Sequence, residues 1–233
     1  MSYEAPKVIV ALDDINEKSV WQLVDQLSPE HCRLKVGKAL FTACGPALVK
    51  KLVQRNYAVF LDLKFHDIPN TVANACQAAA DLGVWMINVH ASGGLAMMQA
   101  ARASIENYDS LLIGVTVLTS FDQHTLAEIG VADVCCEQQV LRLAALTKQA
   151  GLDGVVCSPQ EAMVLNAKYG REFCLVTPGV RCLNDSNDDQ KRIVTPEIAL
   201  ANGADYLVIG RSITRAISPV EKLSQINKVI NLK

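Results

Sequence analysis

Two opposite charges lie inside an apolar segment of the sequence. Asp62 and Lys64 are two residues apart in the run VFLDLK, residues 59–64. Side chains alternate along a strand with a period of two, so both charges should point to the same face. Burying charged groups costs free energy unless they are paired or serve a purpose. The spacing therefore predicts either a catalytic pair or a structural salt bridge.

Two further charged residues should join this pair. Lys35 is close to the end of the preceding strand-like run, and Asp67 follows Lys64 by three residues, in a loop. Alternating positive and negative groups would form a charge-neutral network that fixes the position of each ammonium group. Such a network could be catalytic, or it could have only a structural role at the open end of the fold, because ion-pair networks also form for structural reasons.

A second group of residues predicts an anion site. Gly210, Arg211 and Ser212 combine a glycine, a cation and the start of a helix, where backbone N–H groups attract an anion. Arg181 and Gln190 lie in the polar segment 181–192, which is long for a connection and is a candidate lid. Both could reach the same phosphate when the lid closes, although each taken alone could equally be solvated.

The elements that must position these residues recur with a clear rhythm. Eight short apolar runs predict strands at residues 8–12, 33–36, 59–64, 86–90, 111–116, 154–158, 174–179 and 206–210. Segments of helical character separate them, at residues 17–27, 47–55, 71–82, 94–105, 137–150, 160–168 and 196–201, and two more follow at 212–216 and 220–230.

Continuous apolar runs are typical of parallel strands that are buried on both faces. Eight strand–helix units without a linker predict a single (β/α)8 barrel over residues 1–233. A doubly wound open sheet is the alternative, but it often has a glycine-rich first turn, which VIVALDDIN lacks. In a parallel barrel, function lies at the carboxyl ends of the strands, where the loops after strands seven and eight commonly hold a phosphate.

Composition excludes several classes of protein. Half of the 233 residues are apolar and the net charge is −2, which argues against disorder and against a nucleic-acid or membrane partner. The longest apolar run near the amino terminus has five residues, too few for a signal peptide. Eight scattered cysteines without a C-x-x-C pair indicate reduced core residues and a cytosolic location. His66 and His90 lie near strand ends, where a structural hydrogen bond is the more common role, and no metal-ligand spacing occurs.

The string DLKFHDIPNT, residues 62–71, resembles the active-site signature of the bacterial orotidine 5′-monophosphate decarboxylase family. The resemblance runs along the whole chain and includes Ala11-Leu12-Asp13, Lys35-Val36-Gly37, Val117-Leu118-Thr119-Ser120, Thr177-Pro178-Gly179-Val180-Arg181, Asn187-Asp188-Asp189-Gln190 and Gly210-Arg211-Ser212-Ile213. The full string is specific, whereas its D-x-K-x-x-D core is shared with related sugar-phosphate decarboxylases.

The resemblance implies decarboxylation of orotidine 5′-monophosphate to uridine 5′-monophosphate (UMP) without a metal or an organic cofactor. It implies that Lys64 protonates C6 of the pyrimidine and that Asp62 lies beside the departing carboxylate. It also implies a homodimer with shared active sites. Asp13 and Lys35 would contact the ribose and the charge network, and Thr119 and Ser120 would contact the base. Asp67, Ile68 and Thr71 would be contributed across the dimer interface. The phosphate side would be served by Arg181, Gln190, Gly210 and Arg211, and Pro178 is a further substrate-binding residue.

Two other functions remain as alternatives. One is a metal-dependent sugar-phosphate decarboxylase such as 3-keto-L-gulonate 6-phosphate decarboxylase, which a chelator should inactivate. The other is a non-catalytic nucleotide-binding barrel, which would keep Arg211 and Gln190 but has no reason to keep Asp62 and Lys64 together.

Overall fold

Eight parallel strands form one closed barrel in the computed structural model, which describes residues 5–14, 16–131, 134–181 and 194–231. Each strand pairs with the next along the chain, and β8 pairs with β1 to close the barrel. The strands are β1 Val8–Leu12, β2 Arg33–Gly37, β3 Val59–Phe65, β4 Met86–His90, β5 Leu111–Val115, β6 Gly154–Val156, β7 Cys174–Thr177 and β8 Tyr206–Ile209. The predicted (β/α)8 barrel is therefore confirmed.

Helices connect the strands on the outside of the barrel. In the described ranges they are α1 Glu17–Val24, α2 Lys38–Gln54, α3 Pro69–Ala80, α4 Leu95–Ser104, α5 Gln123–Glu128, α6 Cys136–Gln149, α7 Pro159–Tyr169, α8 Pro196–Ala201, α9 Arg211–Thr214 and α10 Pro219–Asn231. Throughout those ranges, none of the helices has the length and apolar character that a bilayer crossing requires.

Two helical segments differ from the sequence expectation. Helix α2 consists of two segments on either side of Gly45, whose φ is 67°, and the first segment, which begins at Lys38, was not predicted. Gly45 has a non-helical backbone, with ψ of −170°, so Gly45-Pro46 does break the helix, and the second segment begins at Pro46, next to the predicted start. Helix α5 was not predicted at all, and it begins where the Asp122 side chain accepts a hydrogen bond from the Thr125 backbone N–H.

The apolar residues form two layers around the strands. All five residues of β1 are buried, as expected for a strand covered on both faces. The outer layer packs the strands against the helices, and the inner layer fills the barrel with side chains from six strands: Ile9, Ala11, Phe60, Met86, Ile113, Val176 and Val208. This packed interior makes the barrel a rigid support for the side chains at the carboxyl ends of the strands.

The two ends of the barrel interior are polar. At the amino-terminal end the Arg33 guanidinium lies 3.9 Å from the ring centre of Trp85 and 5.1 Å from that of Tyr206. The aromatic faces thus cover a charge that would otherwise face the apolar core. At the carboxyl-terminal end the inner face of the strands carries Lys35, Asp62 and Asn88 instead of apolar residues.

Candidate active site

Three charged side chains from β2 and β3 meet at the carboxyl end of the barrel. Asp62 is 9% exposed, and its Oδ1 atom lies 2.5 Å from Lys64 Nζ. Its Oδ2 atom lies 3.3 Å from Lys35 Nζ, which is 3.9 Å from Asp13 Oδ1 at the end of β1. Neighbouring strands bring these groups together because β2 and β3 pair in register, with Lys35 opposite Phe60 and Gly37 opposite Asp62.

The strand that carries the central pair is irregular at this point. Strands β3 and β4 pair at Leu61–Ile87 and then at Phe65–Val89, so the register shifts between these pairs. Lys64 has a φ of 51°, a left-handed conformation that costs a residue with a side chain about 1–2 kcal/mol. The sequence predicts that Asp62 and Lys64 point to the same face of a strand; they form an ion pair, but across a local distortion rather than along a regular strand.

Asn88 of β4 fills the gap that this distortion leaves. It is fully buried, and its side-chain oxygen accepts the Lys64 backbone N–H at 2.8 Å. Its amide nitrogen donates to Asp62 Oδ1 at 2.7 Å. Asn88 is not among the site residues predicted from the sequence. The available signal was a polar residue in the apolar run MINVH, on the same alternating face as Met86.

The electrostatic setting keeps Asp62 ionised. Burial alone would raise the pKa of the Asp62 carboxyl, but the charges of Lys35 and Lys64 and the hydrogen bonds from Lys64 and Asn88 outweigh it. The net effect lowers the pKa of Asp62 below its ordinary value. The site thus presents a fixed carboxylate between two ammonium groups.

A cavity of about 280 Å³ opens above this charged cluster. Its floor contains apolar side chains of the barrel interior, among them Phe60, Val115, Val156 and Val208. Nine of the residues predicted from the sequence line it: Asp13, Lys35, Asp62, Lys64, Thr119, Pro178, Arg181, Gly210 and Arg211. Cations from two parts of the barrel therefore line one cavity, with the Lys35–Asp62–Lys64 group on β2 and β3 and the arginines after β7 and β8.

The residues around the two arginines of the cavity are closely packed. Gly210 precedes α9, and a Cβ atom at Gly210 would lie 2.5 Å from Asp13 Oδ2, so glycine leaves room for that carboxylate. Arg181 is 8% exposed, and its Nε–H donates to no acceptor in the described part of the chain. A buried donor of this kind can bind an anion in the cavity without first breaking another hydrogen bond.

Five predicted site residues are not among those that line the cavity. Asp67, Ile68 and Thr71 are exposed at the end of β3 and the start of α3, and the Asp67 carboxylate accepts the Ile68 backbone N–H at 2.7 Å. Ser120 is exposed after β5, whereas its neighbour Thr119 lines the cavity. Gln190 and most of the predicted lid 181–192 lie outside the described residues.

Two further titratable groups close to the site, His90 and Cys157, have shifted pKa values that favour their neutral forms. The rings of His66 and His90 are 5.5 Å apart between centres. Burial, followed by electrostatic repulsion from His66, Lys38 and Lys64, lowers the pKa of His90 to about 4. Cys157 lines the cavity floor, and burial raises the pKa of its thiol well above the ordinary value. Among the described residues, no group of three His, Cys, Asp or Glu side chains is arranged to hold a metal ion.

Comparison with known proteins gives a consistent result. The sequence profile of the orotidine 5′-phosphate decarboxylase / HUMPS family matches residues 6–226. The orotidine 5′-phosphate decarboxylase of Aliivibrio fischeri is 58% identical over 224 residues, which cover 95% of each chain. That of Saccharophagus degradans is 56% identical over 228 residues, covering 97% of this chain and 95% of its own. The crystal structure of the Lactobacillus acidophilus orotidine 5′-phosphate decarboxylase superposes with a TM-score of 0.87 at 38% identity, covering 98% of this chain and all of that one. The chain therefore belongs to the orotidine 5′-phosphate decarboxylase / HUMPS family.

Proposed function

We propose that this protein decarboxylates orotidine 5′-monophosphate to UMP and carbon dioxide, the last step of de novo UMP synthesis. The observation that carries the proposal is the ion-paired Lys35–Asp62–Lys64 group in a cavity that Arg181 and Arg211 also line. Relatives that are 56–58% identical over nearly the full chain are named orotidine 5′-phosphate decarboxylases, and this supports the choice of substrate.

The chemistry requires a fixed positive charge at the reacting carbon. When the C6–carboxylate bond breaks, its electron pair stays on C6, and the pyrimidine offers no orbital that spreads this charge. We propose that the Lys64 ammonium group stabilises the developing carbanion and then donates a proton to C6, after which solvent reprotonates the amine. A protein that supplies this charge itself has no need of a metal or an organic cofactor.

Asp62 has two roles in this proposal. Its carboxylate accepts from Lys64 Nζ and contacts Lys35 Nζ, so it holds both ammonium groups in place before the substrate arrives. It would also lie beside the substrate carboxylate and repel it. Loss of carbon dioxide relieves that repulsion, which favours the transition state over the bound substrate.

The phosphate is remote from the bond that breaks but contributes binding energy. We propose that Arg211, Arg181 and the Gly210 backbone bind it, with Gln190 of the predicted lid reaching the same group. Asp13 and Lys35 would bind the ribose hydroxyls, and Thr119 and Ser120 the pyrimidine. Binding energy from the phosphate can then be used to close the lid and to align C6 with Lys64.

We further propose that two copies of the chain share their active sites. Asp67, Ile68 and Thr71 belong to the family signature, yet they do not line the cavity of their own chain. Ile68 is 67% exposed, so its apolar side chain is available for a contact with a second copy. In this arrangement Asp67 of the partner subunit would complete the charge network beside Lys64.

A direct assay tests the proposed reaction. Purified protein in excess chelator should consume orotidine 5′-monophosphate, measured by its ultraviolet absorbance, whereas Lys64→Ala should lose nearly all turnover and still bind UMP. Lys51→Ala is the matched control, because Lys51 pairs with Glu17 on the exposed surface. Chelator-sensitive turnover of a sugar phosphate, with none of the nucleotide, would favour the metal-dependent alternative. Binding of UMP without any turnover would favour the non-catalytic barrel.

We also propose that the protein is located in the cytosol. Seven of the eight cysteines fall in the described ranges, and all seven are free thiols. Free thiols, several of them buried, suit a reducing compartment.

A further inference from the structure

The ladder between β3 and β4 is interrupted at the residues proposed to perform the reaction. Between the ladder pairs Leu61–Ile87 and Phe65–Val89, β3 contains three residues and β4 contains only Asn88. A regular ladder would pair the backbone groups of β3 with those of β4. Here the backbone N–H of Lys64 donates instead to the Asn88 side chain, at 2.8 Å. The side chain thus takes the place of a missing backbone partner.

Asn88 itself rests on a regular part of the barrel. On its other side β4 pairs with β5 without interruption, from Met86–Leu111 through Asn88–Ile113 to His90–Val115. The Asn88 side chain is fully buried. The amide is therefore held by a rigid strand while it contacts the distorted one, which is the arrangement that fixes a reactive group most accurately.

The same amide bonds two different parts of the charged cluster. Its oxygen accepts from the backbone of Lys64, which has the left-handed φ of 51°, and its nitrogen donates to Asp62 Oδ1. Asp62 Oδ1 also accepts from Lys64 Nζ. One side chain therefore fixes both the main chain from which Lys64 projects and the carboxylate that receives its ammonium group.

We infer that Asn88 is a positioning residue, which sets the place of the Lys64 ammonium group relative to the reacting carbon without touching the substrate. The inference rests on the proposed decarboxylation. Asn88 is not among the residues that line the cavity, so its removal should leave nucleotide binding almost unchanged. It should lower the rate of the chemical step, because a small displacement of a catalytic group is costly.

The first test separates binding from catalysis. Asn88→Ala should lower kcat for orotidine 5′-monophosphate by about 10- to 100-fold, while KM and the Kd for UMP change by less than about threefold. Ser110→Ala is the matched control. Ser110 is also buried, and its hydroxyl donates to the Val84 carbonyl at the amino-terminal end of the barrel, away from the charged cluster. It should lose stability but keep the kcat of the unchanged protein.

The second test uses a variant of nearly identical shape. Asn88→Asp places a carboxyl group beside Asp62, and two adjacent carboxyl groups share a proton until the pH rises. While protonated, the introduced group can donate to Asp62 as the amide does. The kcat of Asn88→Asp relative to the unchanged protein should therefore increase as the pH falls from about 8 to about 5. For Asn88→Ala this ratio should stay constant, and a role in stability alone predicts the same for both.

The outcomes are distinct. A folded Asn88→Ala with kcat within about threefold of the unchanged protein would overturn the inference, as would a pH-independent ratio for Asn88→Asp. If Asn88→Ala does not fold, the isosteric Asn88→Asp decides alone. An unchanged protein that does not decarboxylate the nucleotide rejects the proposed function, whereas an active protein with equally active Asn88 variants rejects only the positioning role.

Discussion

Neutralising Asp62 should destabilise the folded protein, because its carboxylate separates two ammonium groups. At an effective dielectric constant of about 20, the 3.3 Å contact with Lys35 corresponds to about 5 kcal/mol of attraction. The shorter contact with Lys64 adds a similar amount. Much of this attraction is offset by the cost of removing the three charges from water, which is several kcal/mol for each buried ion.

The net effect of Asp62→Asn should be a loss of about 3 kcal/mol in the free energy of unfolding, near the lower limit for breaking a buried ion pair. Asparagine has almost the same shape, so packing should not contribute. Asp25→Asn is the control, because Asp25 pairs with Arg55 where the two side chains are 61% and 48% exposed. It should lose less than about 1 kcal/mol.

The assay is denaturant unfolding of each variant at neutral pH and at one protein concentration. The folded-state pKa of Asp62 is lowered, so its contribution is complete above the ordinary value of 3.8 and is lost as the pH falls through the lower folded value. The difference between the unchanged protein and Asp62→Asn should therefore shrink in acid. If Asp62→Asn is more stable at neutral pH, the cluster is strained rather than stabilising, and the reasoning is refuted.

Three further predictions concern the phosphate, the second copy and pH. Arg211→Ala should lower kcat/KM at least about tenfold for orotidine 5′-monophosphate and much less for the unphosphorylated nucleoside; an equal effect on both would exclude a phosphate role. Lys64→Ala and Asp67→Ala homodimers should each be nearly inactive, but refolding an equal mixture should recover about one quarter of full activity, because half of the dimers contain one intact site. No recovery in verified heterodimers would place Asp67 in the site of its own subunit. The pKa of His90 is lowered from 6.5 to about 4, so as the pH falls below 6.5 the unfolded state takes up a proton that the folded state does not. Unfolding free energy should fall by at most about 1.4 kcal/mol per pH unit in that range, reduced by solvent screening, and by less in His90→Gln; identical pH profiles for the two proteins would contradict this.

Local patterns were sufficient to predict the architecture. Each strand is a continuous apolar run because it is buried on both faces, and this signal depends on no distant residue. Gly83, Gly151 and Gly203 all have positive φ, as expected where a helix ends before the next strand. Once the barrel was predicted, the ends of β1, β2 and β3 had to meet at one edge. That geometry alone brings Asp13, Lys35, Asp62 and Lys64 into one cluster.

The tertiary structure decided the features that depend on pairing between distant parts of the chain. The sequence shows Asn88 as one polar residue in an apolar strand, but its role follows from a register shift against a strand more than twenty residues earlier. Likewise, the first segment of α2 packs Leu40 into the core, and this contact with distant residues was not visible in the local sequence pattern. The sequence therefore determined which groups could react, since residue type and alternation are local. The fold determined how they are held, since the left-handed Lys64 is kept in place by Asn88, a partner on another strand.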